Sequence, residues 1–290
     1  MWYTFALLSA LFASVRRANE KQLSLKINHF TIGWAIQLLA LPSIFIALLT
    51  FGKLLNPFSL GLKFWVPTVL VWIGFYPLNT YFYINALKHG ELSKILPLQG
   101  LGPVFALLLA WLLINQRPSI MAVVGIVFIV IGIYILNLKG KYLHNPLHIF
   151  TKDKANFYTL ICILLYTLAG ILDTIAMRAS EPIFYCFVST AGAAATLYLT
   201  SLLFKSKDTV KVKQNFLPLL AGGSFFGLSY LFYLIAISSG PVAYATALRS
   251  TNSVIGAIIG ITYFKESFTK IQALSLVIIV LGSGILVLSR

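Results

Sequence analysis

The stretch YFYINALKHGELSKILPLQGLGPVFALLLAWLLINQRPS, residues 81–119, has a counterpart in LFYLIAISSGPVAYATALRSTNSVIGAIIGITYFKES, residues 231–267. The two align at a constant offset of 150 positions, and the agreement extends over residues 82–138 and 232–288. The matched pairs include Phe82 with Phe232, Tyr83 with Tyr233, Gly90 with Gly240 and Gly132 with Gly282. A long internal match at one spacing predicts two homologous halves.

The composition is typical of a protein that lies in a lipid bilayer. Of the 290 residues, 59% are hydrophobic and only 10% are charged, and the mean hydropathy is +0.90. A water-soluble protein of this length needs more polar surface to cover its core. We therefore expect an all-α integral membrane protein.

Ten apolar runs are long enough to cross a hydrocarbon core, which takes about 20 helical residues. The two longest polar stretches, residues 139–156 and 205–215, are expected to be loops. The predicted spans cover residues 2–22, 31–51, 64–87, 92–114, 118–138, 157–177, 183–204, 216–237, 241–264 and 271–288.

An odd number of spans in each half decides the predicted topology. Five helices followed by five similar helices must insert with opposite orientations, so that a pseudo-two-fold axis in the membrane plane relates them. The expected fold is ten transmembrane helices in two inverted five-helix repeats. The first repeat covers residues 1–140, residues 141–156 form a linker, and the second repeat covers residues 157–290.

The net charge of +15 is spread over the connections and is not gathered in one domain, which argues against nucleic acid as a partner. Sixteen basic residues lie in or beside connections that follow odd-numbered spans, five lie on the other side, and Arg249 lies inside a span, which accounts for all 22. The positive-inside rule then places the odd-numbered connections in the cytoplasm and both termini outside.

Several other classes of protein lack their sequence patterns here. The first span has no basic residues ahead of it and no small-residue cleavage site, which disfavours a cleaved signal peptide. Cys162 and Cys186 fall inside predicted spans and are expected to be packing residues. Metal motifs, a phosphate-binding loop, filter-like repeats and a nucleophile with its base are all missing from the sequence, so we expect no metal, no cofactor and no enzyme activity.

The two quoted stretches resemble the two halves of the drug/metabolite transporter superfamily, specifically its ten-helix EamA-type branch. The resemblance covers essentially the whole chain and includes the acidic Glu266 after the ninth span, whereas Gln116 stands where the family often has Glu in the first half. It implies a transporter that exports or exchanges amino acids, nucleotide sugars, sugar phosphates or other metabolites. It also implies cytoplasmic termini, which is opposite to the charge count.

Charged residues inside apolar spans mark functional candidates, because each costs roughly 2.5–3.5 kcal/mol on insertion scales. An alignment of the first and sixth spans at an offset of 157 superposes Arg16 on Asp173. Equivalent residues can meet near a pseudo-two-fold axis, so Arg16 and Asp173 form a candidate coupling or gating pair. Alternatively, Arg16 and Arg17 extend from a helix end to the headgroups, and Asp173 makes only an interhelical hydrogen bond.

The ninth span carries Arg249, Asn252, Ser253 and Gly256 at the spacing i, i+3, i+4, i+7, which is one helical face. A guanidinium beside an amide suits an anionic or polar substrate. The matching position in the fourth span is the neutral Gln99. Close helix packing is the alternative explanation for this face, and we favour it for Ser253 and Gly256.

The third and eighth spans present matched aromatic and polar faces at an offset of 150. Tyrosines at these positions can hydrogen-bond or stack on a ligand, or belong to the interfacial aromatic belt. The matched residues are Tyr76, Asn79 and Tyr83 in the third span and Phe226, Ser229 and Tyr233 in the eighth.

Together these patterns predict a secondary active transporter in the cytoplasmic membrane of the cell, an exporter or exchanger that moves a small polar metabolite by alternating access. Arg249 favours an acidic group on that metabolite, while coupling to protons or a counter-substrate and the oligomeric state stay open. The alternative is a non-transporting scaffold or lipid-interacting protein that retains the fold. The candidate substrate-binding residues are Arg249, Asn252, Asn79, Tyr83, Tyr233, Ser229 and Tyr76.

Overall fold

The structure of the chain is a computed structural model, and all secondary structure in its described part is helical. Gly90, Gln99, Glu266 and the predicted loop over residues 139–153 lie outside the described residues. The described residues are 1–24, 26–89, 101–137, 154–203, 209–262 and 269–289.

The helices follow the apolar runs of the sequence closely. A 3₁₀ turn, Pro57–Ser59, precedes α3, and a π-helical turn, Leu70–Phe75, joins α3 to α4. The helices are α1 (Trp2–Ser24), α2 (His29–Phe51), α3 (Leu62–Val69), α4 (Tyr76–His89), α5 (Gly102–Ile114), α6 (Ile120–Asn137), α7 (Lys154–Arg178), α8 (Pro182–Leu203), α9 (Thr209–Gln214), α10 (Phe216–Ser239), α11 (Val242–Arg249), α12 (Asn252–Thr262) and α13 (Lys270–Leu288).

Within the described residues, five helical segments are long and apolar enough to cross a membrane. Two shorter apolar segments, Gly102–Ile114 and Ile120–Ile135, accompany them. The membrane prediction is therefore supported, while the total of ten spans stays a prediction. The five long segments are Phe30–Phe51, Lys154–Arg178, Pro182–Leu203, Phe216–Ser239 and Lys270–Leu288.

The structure corrects three predicted boundaries. The stretch 205–215, expected to be a loop, contains the short helix α9, and α7 begins at Lys154 instead of residue 157. The ninth span is interrupted between α11 and α12. At the break, Ser250 Oγ donates to the Thr246 carbonyl (3.0 Å) and Thr251 Oγ1 donates to the Leu248 carbonyl (2.7 Å). Such local bonds compete with the regular helical ladder.

The chain folds into two compact units. The first unit comprises Met1–Pro77 and Leu172–Gly240, and the second comprises Leu78–Ile171 and Pro241–Arg290. The chain passes from one unit to the other within two helical segments, after Pro77 and after Ile171, and once between α10 and α11.

In the first unit, α1 packs on α10, and α2 packs on both α8 and α10. Glycine allows the closest approach, because an ideal Cβ at Gly223 of α10 would lie 2.7 Å from the Leu39 carbonyl carbon of α2. An apolar cluster covers one end of this packing and consists of Leu23, Ile27, Ile32, Ala35, Ile36 and Leu219.

In the second unit, α6 packs along α13. An ideal Cβ at Gly125 would lie 2.9 Å from the Gly282 carbonyl oxygen, and one at Gly132 would lie 2.9 Å from the Ser275 carbonyl oxygen. Small residues therefore bring the two backbones into direct contact, as in other membrane helix pairs.

Candidate functional site

Asp173 on α7 is a buried ionisable residue of the first unit, and only 5% of it is exposed. The Tyr185 hydroxyl donates to one carboxylate oxygen at 2.6 Å, and the Tyr230 hydroxyl donates to the other at 3.1 Å. The Tyr230 hydroxyl also lies 3.2 Å from Ser189 Oγ. Each carboxylate oxygen thus has a hydrogen-bond donor from a different neighbouring helix, which offsets part of the cost of its burial.

Arg16 has other partners in this conformation. Its Nε atom lies 3.6 Å from Glu20 Oε1, one turn further along α1, and its guanidinium lies 5.3 Å from the ring centroid of Phe226. Phe226 stacks in turn on Tyr230, with ring centroids 5.9 Å apart. The Phe226 and Tyr230 rings thus connect Arg16 to Asp173, and their direct pairing stays a prediction.

Arg249 is the last residue of α11 and lies in the second unit. Its Nη1 donates to the Tyr166 hydroxyl of α7 at 2.7 Å, and Tyr166 is 54% exposed. Asn252, the first residue of α12, is only 8% exposed. The break between α11 and α12 therefore sets a guanidinium and a buried amide at the two ends of a short turn.

The packing expected around Gly256 is not found in the described part of the chain. No described atom lies within 4 Å of an ideal Cβ at Gly256, one turn beyond Asn252 on α12. Gly256 is exposed and lies on the same face of α12 as Asn252.

Two predicted substrate-binding residues bond to neighbouring helices. In the second unit, Asn79 Nδ2 donates to the Cys162 carbonyl at 2.8 Å, and Cys162 Sγ lies 3.6 Å from the Asn79 carbonyl. In the first unit, Ser229 Oγ donates to the Ser9 carbonyl at 3.0 Å, and Ser9 Oγ donates to the Ser229 carbonyl at 2.7 Å. These reciprocal bonds give Asn79 and Ser229 a role in helix packing.

The three remaining candidate tyrosines divide between the units. Tyr83 lies in the second unit and is partly buried, and Tyr233 lies in the first unit and is buried. Tyr76 also lies in the first unit and is partly buried.

Sequence reasoning missed Tyr185 and Tyr230. Tyr166 precedes Asp173 by seven residues, and the sequence places it on the same helical face, but it was not among the predicted site residues. The two other tyrosines lie on different helices from Asp173, and their spacing in the chain gives no sign of the contact.

Clusters of three or more potential metal ligands are missing from the described ranges. Cys162 and Cys186 are both free and buried, as expected of packing residues.

Comparison with known proteins gives one family and several similar chains. A sequence profile described as the EamA-like transporter family matches residues 1–138 and 153–288. "Protein LicB" of Haemophilus influenzae is 26% identical over 295 residues, which cover 98% of this chain and 96% of LicB. An "Uncharacterized transporter" of Methanothermobacter thermautotrophicus is 24% identical over 222 residues, which cover 70% of this chain and 63% of that protein.

A solved crystal structure shares the fold, with a TM-score of 0.77 at 17% sequence identity. The superposition covers 100% of this chain and 96% of the other.

Proposed function

This chain belongs to the EamA-like transporter family, and on that premise we propose a secondary active transporter that exports or exchanges a small polar metabolite with an acidic group. Family membership makes the chain a multi-pass membrane transporter of a small molecule. The mechanism proposed is alternating access in the cell membrane, driven by a proton gradient or by a counter-substrate and without covalent chemistry.

Two inverted repeats of five helices are proposed as the basis of alternating access, and the contacts between α2 and α8 support them. Trp34 contacts Tyr198 with ring centroids 5.2 Å apart, and Phe45 contacts Phe187 at 5.6 Å. At an offset of 153, Trp34 corresponds to Phe187 and Phe45 corresponds to Tyr198. The offset therefore converts the first contact into the second, with the helices exchanged. The partner number falls as the first number rises, so the two helices are antiparallel, as inverted repeats require.

The α6 and α13 pair has the same property at an offset of 150. Gly132 approaches Ser275, and Gly125 approaches Gly282. At this offset, Gly125 corresponds to Ser275 and Gly132 corresponds to Gly282. The offset therefore converts one contact into the other, with the helices exchanged. Self-complementary contacts of this kind are typical of a two-fold axis between the paired elements.

Equivalent contacts also recur once within each unit. Phe5 stacks on Phe232 with centroids 6.0 Å apart, and Tyr158 packs on Phe82 at 5.9 Å. An offset of 153 relates positions 5 and 158, and an offset of 150 relates positions 82 and 232. The reciprocal bonds of Ser9 with Ser229 and of Cys162 with Asn79 obey the same two offsets.

This register changes the expected relation between Arg16 and Asp173. At an offset of 153, Arg16 corresponds to Ala169 and Asp173 corresponds to Glu20. The superposition of Arg16 on Asp173 at an offset of 157 is therefore not supported by the contacts. Asp173 is instead the counterpart of the carboxylate that pairs with Arg16 on α1.

The hydrogen bond from Arg249 to Tyr166 is the observation that carries the proposed substrate class. A guanidinium has five donors in a rigid fork. One of the Arg249 donors bonds to the hydroxyl of Tyr166, a side chain that is about half exposed. The open glycine at position 256 and the buried amide of Asn252 lie on the same helical face. We propose that this face receives the acidic group of the metabolite, with Tyr83 of the same unit as a further contact. Tyr76 and Tyr233 of the first unit stay predicted substrate-binding residues.

The first experiment identifies a ligand. Purified protein is screened by thermal shift against single metabolites, because a ligand at 100 times its dissociation constant adds about 2.7 kcal/mol to stability. Stabilisation by carboxylates or phosphate esters is expected, and stabilisation by amines alone would contradict the acidic substrate class.

Substitution of Arg249 then tests the site. Arg249→Gln and Arg249→Lys are both expected to weaken binding of the acidic ligand roughly tenfold or more, since a hydrogen bond to a charged group contributes about 1.5–3 kcal/mol and an ammonium cannot reproduce the fork. Equilibrium binding to the purified variants measures the effect.

Arg117→Gln is the matched control, because Arg117 is exposed between α5 and α6 of the same unit. Unchanged affinity in well-folded Arg249→Gln would remove Arg249 from the site.

Orientation in the membrane is tested by labelling. In a variant without Cys162 and Cys186, a single cysteine at Lys152 is expected to resist an impermeant thiol reagent in sealed cells and to react after permeabilisation, because the basic connections should face the cytoplasm. Rapid labelling of intact cells would instead support cytoplasmic termini.

A further inference from the structure

Trp72 in the first unit has a buried hydrogen-bond donor with no acceptor among the described residues. Its Nε1 atom is shielded from solvent and unbonded there. Trp65, seven residues earlier, donates its Nε1 to the Pro57 carbonyl at 3.1 Å. Buried indole N–H groups normally find an acceptor. The missing acceptor at Trp72 therefore needs an explanation.

The backbone around Trp72 departs from a regular α-helix. Trp72 lies within the π-helical turn Leu70–Phe75, and such turns are frequent at functional sites. The equivalent residues 220–225 lie inside the uninterrupted α10. The two halves thus differ in backbone conformation at the position of Trp72, where the first half has a π-helical turn and the second half a regular α-helix.

Gly192 on α8 makes room for the indole. An ideal Cβ at Gly192 would overlap Cε2 and Cδ2 of the Trp72 ring, so the ring lies directly on the helix backbone. A side chain at position 192 would have to displace the ring. The pair therefore holds Trp72 in a defined place.

The face of α8 that contains Gly192 also carries residues that hydrogen-bond to Asp173 or to its partner Tyr230. Tyr185, Ser189 and Gly192 are spaced i, i+4, i+7, so they share one helical face. Tyr185 donates to Asp173, and Ser189 contacts Tyr230. Both oxygens of Asp173 accept hydrogen bonds from phenols, whereas the donor of Trp72 is unmatched among the described residues. Of these polar groups, the Trp72 indole is the one without a hydrogen-bond partner in the described part of the chain.

We propose that Trp72 donates from Nε1 to an oxygen of the transported molecule. The ligand class is a small metabolite with a hydroxyl, carbonyl or carboxylate oxygen, for which the Trp72 indole is a neutral donor. This inference rests on the proposed transport function and assigns a residue to it.

Tryptophan variants test the donor directly. Trp72→Phe, and replacement of Trp72 by the analogue with sulfur in place of the ring N–H, are expected to weaken ligand binding about three- to tenfold, as for one neutral hydrogen bond. Trp65→Phe is the matched control, because its donor is already bonded within the chain. The probes are glucose, serine, lactate and glycerol 3-phosphate, with putrescine as a ligand without oxygen.

An NMR experiment on protein with isotope-labelled indole nitrogen tests this inference separately from the proposed function. In NMR spectra of the wild type in nanodiscs, a bound probe is expected to shift the Trp72 N–H resonance and leave that of Trp65 in place. A probe that binds without moving the Trp72 resonance, and binds Trp72→Phe equally well, would overturn the inference and leave the transport function standing.

Hydrogen exchange decides the case in which none of the probes binds. A donor that meets the transported molecule must be reached by water when the site opens, so the Trp72 N–H should exchange with deuterium faster than the bonded Trp65 N–H. Exchange at Trp72 as slow as at Trp65 would overturn the inference without any ligand.

Gly192→Ala supplies a second variant. It should displace the ring and reproduce the Trp72→Phe loss of affinity for any probe that binds, and it should alter the Trp72 N–H resonance in the ligand-free protein. Gly33→Ala is its control, since an ideal Cβ there meets only Leu197 Cδ1, at 3.9 Å. A Trp72 resonance that is the same in Gly192→Ala and in wild type would contradict the proposed seating of the ring.

Discussion

Gly282→Val is expected to abolish the folded, monodisperse protein, while Gly284→Val on the same helix leaves it intact. An ideal Cβ at Gly282 would lie 2.8 Å from the Gly125 carbonyl oxygen and 2.8 Å from the Ile129 backbone nitrogen. Both atoms belong to the backbone of α6, so a rotamer change cannot relieve the clash. Overpacking of this kind costs typically 1–3 kcal/mol. Valine adds a Cβ and two methyl groups against backbone, which places the cost at or above the upper end.

Gly284 is the matched control because no described atom lies within 4 Å of an ideal Cβ there. The two variants carry the same β-branched residue on the same helix, so their helix propensities cancel. Size-exclusion profiles and melting temperatures in detergent measure the difference. Equal stability of the two variants would contradict the close contact of α6 with α13.

Asp173→Leu is expected to lower the melting temperature strongly and to stop transport. The change removes the Asp173 acceptor from the Tyr185 and Tyr230 hydroxyls, of which Tyr230 keeps Ser189 Oγ at 3.2 Å. An unsatisfied buried donor costs about 1–3 kcal/mol. Replacing all partners by apolar groups is far less costly than removing one of them. The triple variant with Tyr185→Phe and Tyr230→Phe should therefore regain most of the lost stability.

Transport by the triple variant separates a structural role of Asp173 from a functional one. If Asp173 takes part in coupling or gating, the triple variant folds well but does not transport the identified ligand in proteoliposomes. Restored transport would reduce Asp173 to an interhelical hydrogen bond, which was the alternative from sequence. A triple variant no more stable than Asp173→Leu would show that the phenol bonds contribute little.

The membrane class and most helix positions followed from the sequence because the hydrophobic requirement of a bilayer acts on each segment separately. Apolar runs such as residues 31–51 and 216–237 predict helices without knowledge of their neighbours, and the structure places α2 and α10 there within about two residues. The internal match at an offset of 150 was readable for the same reason. It compares positions along the chain and needs no contact.

Irregular backbone limited the boundaries that the sequence could predict. The break between α11 and α12 lies at the polar stretch RSTNS, residues 249–253, inside a run that is apolar on average. The π-helical turn before α4 lies inside an apolar run and changes no hydropathy pattern. A hydropathy argument therefore reads each of them as one continuous span.

The proposed register of the first helices rests on tertiary contacts. Within α1 and α7 the apolar residues are too similar to distinguish an offset of 153 from one of 157, whereas the contacts of Trp34 with Tyr198 and of Phe45 with Phe187 favour 153 for the neighbouring pair of helices. On the proposed register, Asp173 is the counterpart of Glu20.

The candidate site also has a part that the sequence determined and a part that only the tertiary structure determined. The sequence alone determined that Asp173 and Arg249 are exceptional, because a charge in an apolar span is unfavourable wherever its neighbours are. Their partners Tyr185, Tyr230 and Tyr166, the packing role of Asn79 and Ser229, and the unmatched donor of Trp72 were decided only by the tertiary structure, because a hydrogen bond depends on distances between helices that the order of residues does not contain.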